Sequence, residues 1–228
     1  MDHRDRRRGD DRVSAEELLR ACQWLDQKGF VANHDGNISM RLPGNRFLVT
    51  PTAFRKGDIG SADLLVIDID GKVLSGRHRV FSEWQLHRAV FQARPGMGAV
   101  IHCHAPSSTA FAVSGRELAI DFMPEAIVSL GPKIAHVPYH RPGAEGMSQA
   151  VHDAARAANA ALLMGHGPLA WGLDLTMALA RMELLEHLAS IALRSVPLGG
   201  PTRLPPEEIE ALSDKHRRAG LAAPSLLP

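Results

Sequence analysis

Residues 98–108 read GAVIHCHAPSS, and the apolar run Ala99-Val100-Ile101 within them has the character of a buried strand. That run ends in His102-Cys103-His104. On a strand, residues i and i+2 face the same way, so His102 and His104 project together and Cys103 opposes them. At a strand rise of roughly 3.3 Å per residue their α-carbons lie roughly 6.5 Å apart. Two imidazoles at that separation can converge on one ion through N–metal bonds of about 2.0–2.1 Å. Hydrogen-bonded histidines at a strand end fit the same pattern, because imidazole serves both purposes.

Working outward, residues 162–168 read LLMGHGP and place His166 past a second apolar strand, between two glycines that permit tight turns and close approach. A second strand end bearing histidine is what an open three-histidine metal site requires. Glu83 opens a helix over 82–93 with Ser82 as its expected N-cap, where the positive dipole end favours any carboxylate. His87 falls on that helix, and His34, His78, His140 and His216 fall in loops or on solvated faces.

The rest of the chain supplies an α/β frame. Ser14-Ala15-Glu16-Glu17 has the capping-box pattern, and Leu18, Leu19, Cys22 and Leu25 follow at helical spacing until Gly29. Two hairpins are expected, one turning at Pro43-Gly44-Asn45 and one at Asp70-Gly71. Further elements are a short helix near SSTAFAVSG, a strand at KIAHVPY, a helix at GMSQAVHDAARAA, the longest helix at 174–195 and a final one beginning PPEEIEALS. Residues 1–13 read as a disordered charged tail, 14–220 as a single domain and 221–228 as a frayed end.

Composition narrows the function classes. The 228 residues carry a formal net charge of +1, which gives no general drive toward nucleic acid or membranes. There is no apolar run near the roughly 18 residues of a membrane span, and residues 1–12 lack the apolar stretch of a signal peptide. Two cysteines fit a reducing compartment, so a cytoplasmic location is expected. The 12 histidines outnumber the 7 Phe, 3 Trp and 1 Tyr together, a surplus suited to metal or acid–base chemistry.

GNIS (36–39), LVTPTA (48–53), DIDGKVLSG (68–76), FSEWQLH (81–87), AVIHCHA (99–105), VPYHRPG (137–143) and LLMGHGPLAWG (162–172) occur in one order. Over about residues 14–197 that order resembles the class II aldolase/adducin family, and within it the fuculose-1-phosphate aldolase type. The resemblance implies a three-layer α/β/α sandwich around a mostly antiparallel sheet, assembled as a homotetramer with sites near subunit interfaces. It implies that His102, His104 and His166 hold one divalent ion per subunit, zinc first, with manganese, cobalt or iron as alternatives. It implies that Glu83 is the general acid/base and that Asn37, Ser39, Thr52 and Ser82 bind the substrate's phosphate. The expected reaction is retro-aldol cleavage of a hydroxylated, sugar-phosphate-like carbonyl compound through a metal-stabilised enediolate, a Lewis-acid task joined to proton transfer.

Three positions depart from the family. Phe81 stands where a serine is usual, Ala53 where a glycine backbone wraps the phosphate, and Phe122 where the aldolase has a catalytic tyrosine. Tyr139 is the chain's one tyrosine. These changes open an alternative, decarboxylation of a hydroxylated aromatic or keto acid. Arg55, Lys56, His78 and Arg79 would then receive the carboxylate, and Phe81 and Phe122 would flank the ring. A non-catalytic adducin-like interaction module is the third reading, set against by the complete histidine triad.

Overall fold

The computed structural model describes residues 3–141 and 145–224. Its frame is one eight-stranded sheet: β1 (Asn37–Leu42), β2 (Arg46–Val49), β3 (Leu65–Asp68), β4 (Val73–Ser75), β5 (Ala99–His102), β6 (Ala135–Val137), β7 (Ala160–Leu163) and β8 (Gly167–Gly172). The spatial order is β4-β3-β2-β1-β5-β8-β7-β6, and every pair is antiparallel except the parallel β6–β7 edge. Helices α1 (His3–Gln27), α3 (Pro106–Ser114), α4 (Pro124–Leu130) and α6 (Leu175–Ser195) contribute to the core on one face. Helices α2 (Trp84–Ala93) and α5 (Glu145–Ala157) cover the other, and α7 (Pro206–Arg218) packs on α4.

The period-2 reading of β5 decides the layers. Ala99 and Ile101 join the core beneath α1 and α6, whereas Val100 joins the one beneath α2 and α5. His102 follows Val100 in that alternation, toward the face that carries Glu83. Both expected hairpins are present, with β1 pairing β2 and β3 pairing β4. The stretch 160–172, expected as an apolar strand that breaks at the glycine-flanked His166, is a hairpin, β7 and β8, whose turn contains His166.

Several boundaries differ from expectation. Helix α1 begins at His3, so residues 3–13, expected as a tail, belong to the helix, and Ser14 lies inside it rather than at its cap. Fully buried Leu18, Cys22 and Leu25 anchor α1, and once anchored the helix propagates cheaply through its charged first turns. The Arg12–Glu16 pair at i, i+4 supports that extension. At 25 residues α1, not the 21-residue α6, is the longest helix. Ser82 makes no cap, and Glu83 occupies the cap position of α2 without capping it. Ala222 and Ala223 are buried, so the chain is packed, not frayed, at that point. Residues 1–2 and 225–228 of the two expected tails lie outside the described residues. Among the described residues no helix is long and apolar enough to cross a membrane.

Candidate active site

Sheet register brings the site together. Asn37, the first residue of β1, pairs with His102, the last of β5, and His102 also pairs with Leu169 of β8. The β7–β8 turn ahead of Leu169 carries His166, and Glu83 stands at the start of α2. Gly36 is fixed by this junction. Its φ is +73°, and a Cβ there would lie 2.9 Å from the His102 carbonyl oxygen.

The ligand atoms of His102, His104 and His166 lie within 4.8 Å of one another. His102 Nε2 is 3.2 Å from His166 Nε2, closer than two imidazoles approach without sharing a proton or an ion. His102 Nδ1 donates to the Pro168 carbonyl at 2.8 Å, which leaves Nε2 as the lone-pair atom. His104 Nδ1 faces Asp35 Oδ2 at 3.3 Å, and its Nε2 is buried with no hydrogen-bond partner. Burial drives the His102 imidazole down to about 4 and holds His166 below its ordinary value, so both are neutral near pH 7. Three imidazoles with converging ring nitrogens, one of them orphaned, fit a divalent ion.

Glu83 closes the fourth side. Its Oε1 is 3.1 Å from His166 Nε2 and its Oε2 is 3.7 Å from His102 Nε2. Burial works to raise this carboxyl, but His102, His166 and the Asn37 amide outweigh it and hold it below its ordinary value. Asn37 Nδ2 donates to Glu83 Oε2 at 2.7 Å, and Asn37 Oδ1 accepts from His87 Nε2 at 2.6 Å. His87 Nδ1 in turn accepts from the Ser39 hydroxyl at 2.6 Å. This chain of bonds requires His87 to be neutral with its proton on Nε2.

Not every expected residue lies on the open site. Asn37, Thr52 and Ser82 line a cavity of about 270 Å³ beside Glu83, together with Asp35, Ala53 and Phe81. Ser39 does not; it is buried behind Asn37 and bonded to His87. Ala53 has φ +62°, the left-handed conformation a glycine would adopt, so the alanine keeps the expected loop shape. Phe81 packs its ring 4.9 Å from that of His87 and screens the buried network. Phe122 packs on the core and lines neither cavity of the site.

The basic set expected for a carboxylate is dispersed. Lys56 is buried and donates to the His34 and Phe54 carbonyls, because its ammonium must be satisfied inside. Arg55 pairs with Asp26 and Asp58, His78 pairs with Asp63, and Arg79 is exposed outside both cavities. His87 was assigned no role by sequence, and its i+4 spacing from Glu83 was the available signal. His216 is fully buried rather than solvated.

A family described as the class II aldolase and adducin N-terminal domain matches residues 16–193. A 5-methylthioribulose-1-phosphate/5-deoxyribulose-1-phosphate aldolase of Rhodospirillum rubrum is 31% identical, covering 89% of this chain and 90% of the relative. A 3-oxo-tetronate 4-phosphate decarboxylase of Escherichia coli K12 is 32% identical, covering 77% of this chain and 84% of the relative. The solved structure of an L-fuculose 1-phosphate aldolase superposes with a TM-score of 0.82 at 27% identity, over 90% of this chain and 96% of that one. With its α/β fold and mostly antiparallel sheet, the chain belongs to the class II aldolase and adducin family and is an enzyme of it, a lyase.

Proposed function

We propose that the protein cleaves a phosphorylated ketose by a retro-aldol reaction, with His102, His104 and His166 holding one divalent ion and Glu83 as the acid/base. The observation that carries this reading is the position of Glu83, within 3.7 Å of two histidines of the triad and between two cavities. A divalent ion held there supplies Lewis-acid polarisation of a substrate carbonyl. Asn37, Thr52 and Ser82 donate to the phosphate end, and the Ala53 loop presents its backbone there. When the carbon–carbon bond breaks, its electron pair stays with the carbonyl-bearing fragment. The hydroxyl on the departing carbon loses its proton and becomes the aldehyde carbonyl. Glu83, which its neighbours hold ionised, takes that hydroxyl proton and delivers it to the carbon left behind, so the reaction is balanced without an outside acid.

Zinc is the ion proposed first, since imidazole also accepts manganese, cobalt and iron. The reading includes a cytoplasmic homotetramer, supported by two buried free cysteines and by Tyr139, 66% exposed beside the site. Decarboxylation of a phosphorylated 3-oxo acid is the second reading, supported by the decarboxylase relative. Against it, no lysine or arginine among the described residues lines either site cavity to receive a carboxylate. Product detection by NMR separates the two, using the metal-loaded protein with ketose 1-phosphates and with phosphorylated 3-oxo acids. Aldehyde and triose phosphate from the first support the aldolase; carbon dioxide from the second alone overturns it. Glu83→Gln should retain the ion and lose turnover, and full activity in that variant excludes the assigned role.

A further inference from the structure

On α6, Met177, Ala180, Arg181 and Leu184 recur at i, i+3, i+4 and i+7, so an arginine sits within an otherwise apolar helical stripe. With Ser129 of α4 and Leu221, these residues wall a cavity of about 170 Å³. It belongs to the layer of α4 and α6, across the sheet from α2 and Glu83. Arg181 is only 3% exposed. Its Nη1 donates to the Trp171 carbonyl at 2.8 Å, and among the described residues that is its one hydrogen bond. Nε and Nη2 have no such partner, yet neither atom is sealed away from solvent, so they reach the cavity that Arg181 lines. Burial, and then the nearby Arg94 guanidinium, lower the Arg181 group to about 10, which still leaves it a cation at neutral pH. Asp174 is the carboxylate that acts on it, but Asp174 Oδ1 is taken up by the Met177 N–H, and no ion pair forms between the two among the described residues. A buried cation left with one neutral acceptor is costly, and a charged partner from outside the chain removes that cost.

We propose that this cavity is a binding site for a small monocarboxylate with a compact apolar body, held by Arg181 and separate from the histidine triad. With Nη1 committed to Trp171, the Nε–Nη2 edge is a fork that matches the two oxygens of a carboxylate. Ser129 adds one hydroxyl. Met177, Ala180, Leu184 and Leu221 meet the body of the ligand, in a volume on the order of the roughly 150 Å³ that accepts benzene. A phosphate dianion fits less well, because one guanidinium and one hydroxyl leave its further oxygens against apolar walls. A neutral ligand of the same shape fills the space but leaves the cation as it was. None of these residues lines either cavity beside Glu83, so the site stands whatever reaction the triad performs.

Protein supplied with zinc and labelled at the methionine methyl carbons reports on the cavity through Met177, whose signal is assigned by Met177→Leu. Benzoate at neutral pH should shift that resonance saturably, and benzamide, its neutral counterpart, should not. Arg181→Gln, which keeps a donor for the Trp171 carbonyl, should weaken benzoate binding by at least about 10-fold, since hydrogen bonds from a charged group give way to neutral ones. An unmoved Met177 signal, equal shifts with benzamide, or undiminished affinity in Arg181→Gln overturns the proposal. Shifts confined to Met147 and Met164, beside Glu83, overturn it too, because they put the carboxylate at the triad instead. The comparison of benzoate with benzamide needs no variant, so it decides the question even where Arg181→Gln does not fold.

Discussion

Asn37 is held at both ends of its amide: Nδ2 donates to Glu83 Oε2 at 2.7 Å while Oδ1 accepts from His87 Nε2 at 2.6 Å. The amide cannot flip without breaking both bonds, so His87 fixes the direction from which Glu83 is gripped. Replacing His87 with Phe should leave metal content intact and lower kcat by about 100-fold with a small change in KM, the effect of a misplaced catalytic group. His87→Gln, which can still bridge Ser39 and Asn37, should recover part of the loss. Steady-state kinetics with metal analysis check this, and an unchanged kcat in His87→Phe excludes the positioning role.

The same residue makes stability depend on pH. Burial drives the His87 imidazole down to about 3 from an ordinary value of 6.5. Below pH 6.5 the unfolded chain therefore binds a proton that the folded one refuses. The contribution is complete above pH 6.5 and is lost as acid carries the protein toward pH 3, by at most about 1.4 kcal/mol per pH unit for one group. Urea midpoints of metal-free protein at pH 7, 6 and 5 should fall more steeply for the native chain than for His87→Gln. His102, His136, His166 and His216, also lowered by burial, are common to both proteins. Parallel curves would show that His87 contributes nothing.

Metal binding should follow the triad. His104→Ala and His166→Ala should each lower bound metal, measured by elemental analysis, because two imidazoles remain where the site needs three. Because burial holds His102 at about 4, its lone pair survives below pH 6, so protonation of His102 should not be what limits metal binding in mild acid. Chelation should abolish turnover and lower the melting temperature, with added zinc restoring both. Turnover that survives complete removal of the ion counts against the proposed chemistry.

Much of this site is legible in sequence because its logic is local. His102 and His104 stand at strand spacing, His166 sits in a tight turn, and Glu83 opens a helix; each signal spans only a few residues. The network behind them is not local. Ser39, Asn37 and His87 meet because β1 pairs with β5 and α2 crosses that pair, contacts that join residues 46–50 apart. A histidine on the apolar face of α2 reads as ordinary helix until those partners are known. The start of α1 was missed for a related reason. The apparent cap at Ser14 is a local cue that the buried anchor at Leu18, Cys22 and Leu25 overrides.

Ala53 offers a direct test of backbone strain. Its φ of +62° costs an L-residue about 1–2 kcal/mol. Glycine relieves that cost but adds about 0.4–1 kcal/mol of unfolded-chain entropy. Ala53→Gly should therefore stabilise the protein by up to about 1 kcal/mol in urea unfolding. A clear destabilisation would mean that the methyl group makes contacts worth more than the strain.

The C-terminal helix is latched to the sheet by Asn159. This buried residue shares its Nδ2 hydrogens among the Leu130 and Leu221 carbonyls and His216 Nε2, at 2.9–3.2 Å. Its Oδ1 accepts from the buried Arg94 guanidinium, which also donates to the Ala158 and Ala222 carbonyls. His216 Nδ1 donates to the Val128 carbonyl, so its Nε2 must be the acceptor and the ring must be neutral. Asn159→Leu preserves volume but leaves a guanidinium without its side-chain acceptor, and should cost at least about 2 kcal/mol. Removing the cation as well, in Arg94→Leu/Asn159→Leu, should recover part of that loss, because an unpaired buried charge costs more than an apolar pair. The cycle of two single and one double substitution isolates the coupling. Urea denaturation of metal-loaded protein reads it, while kcat should stay near the native value because the latch does not touch the site. A double variant as unstable as the sum of the singles would show that Arg94 and Asn159 act independently.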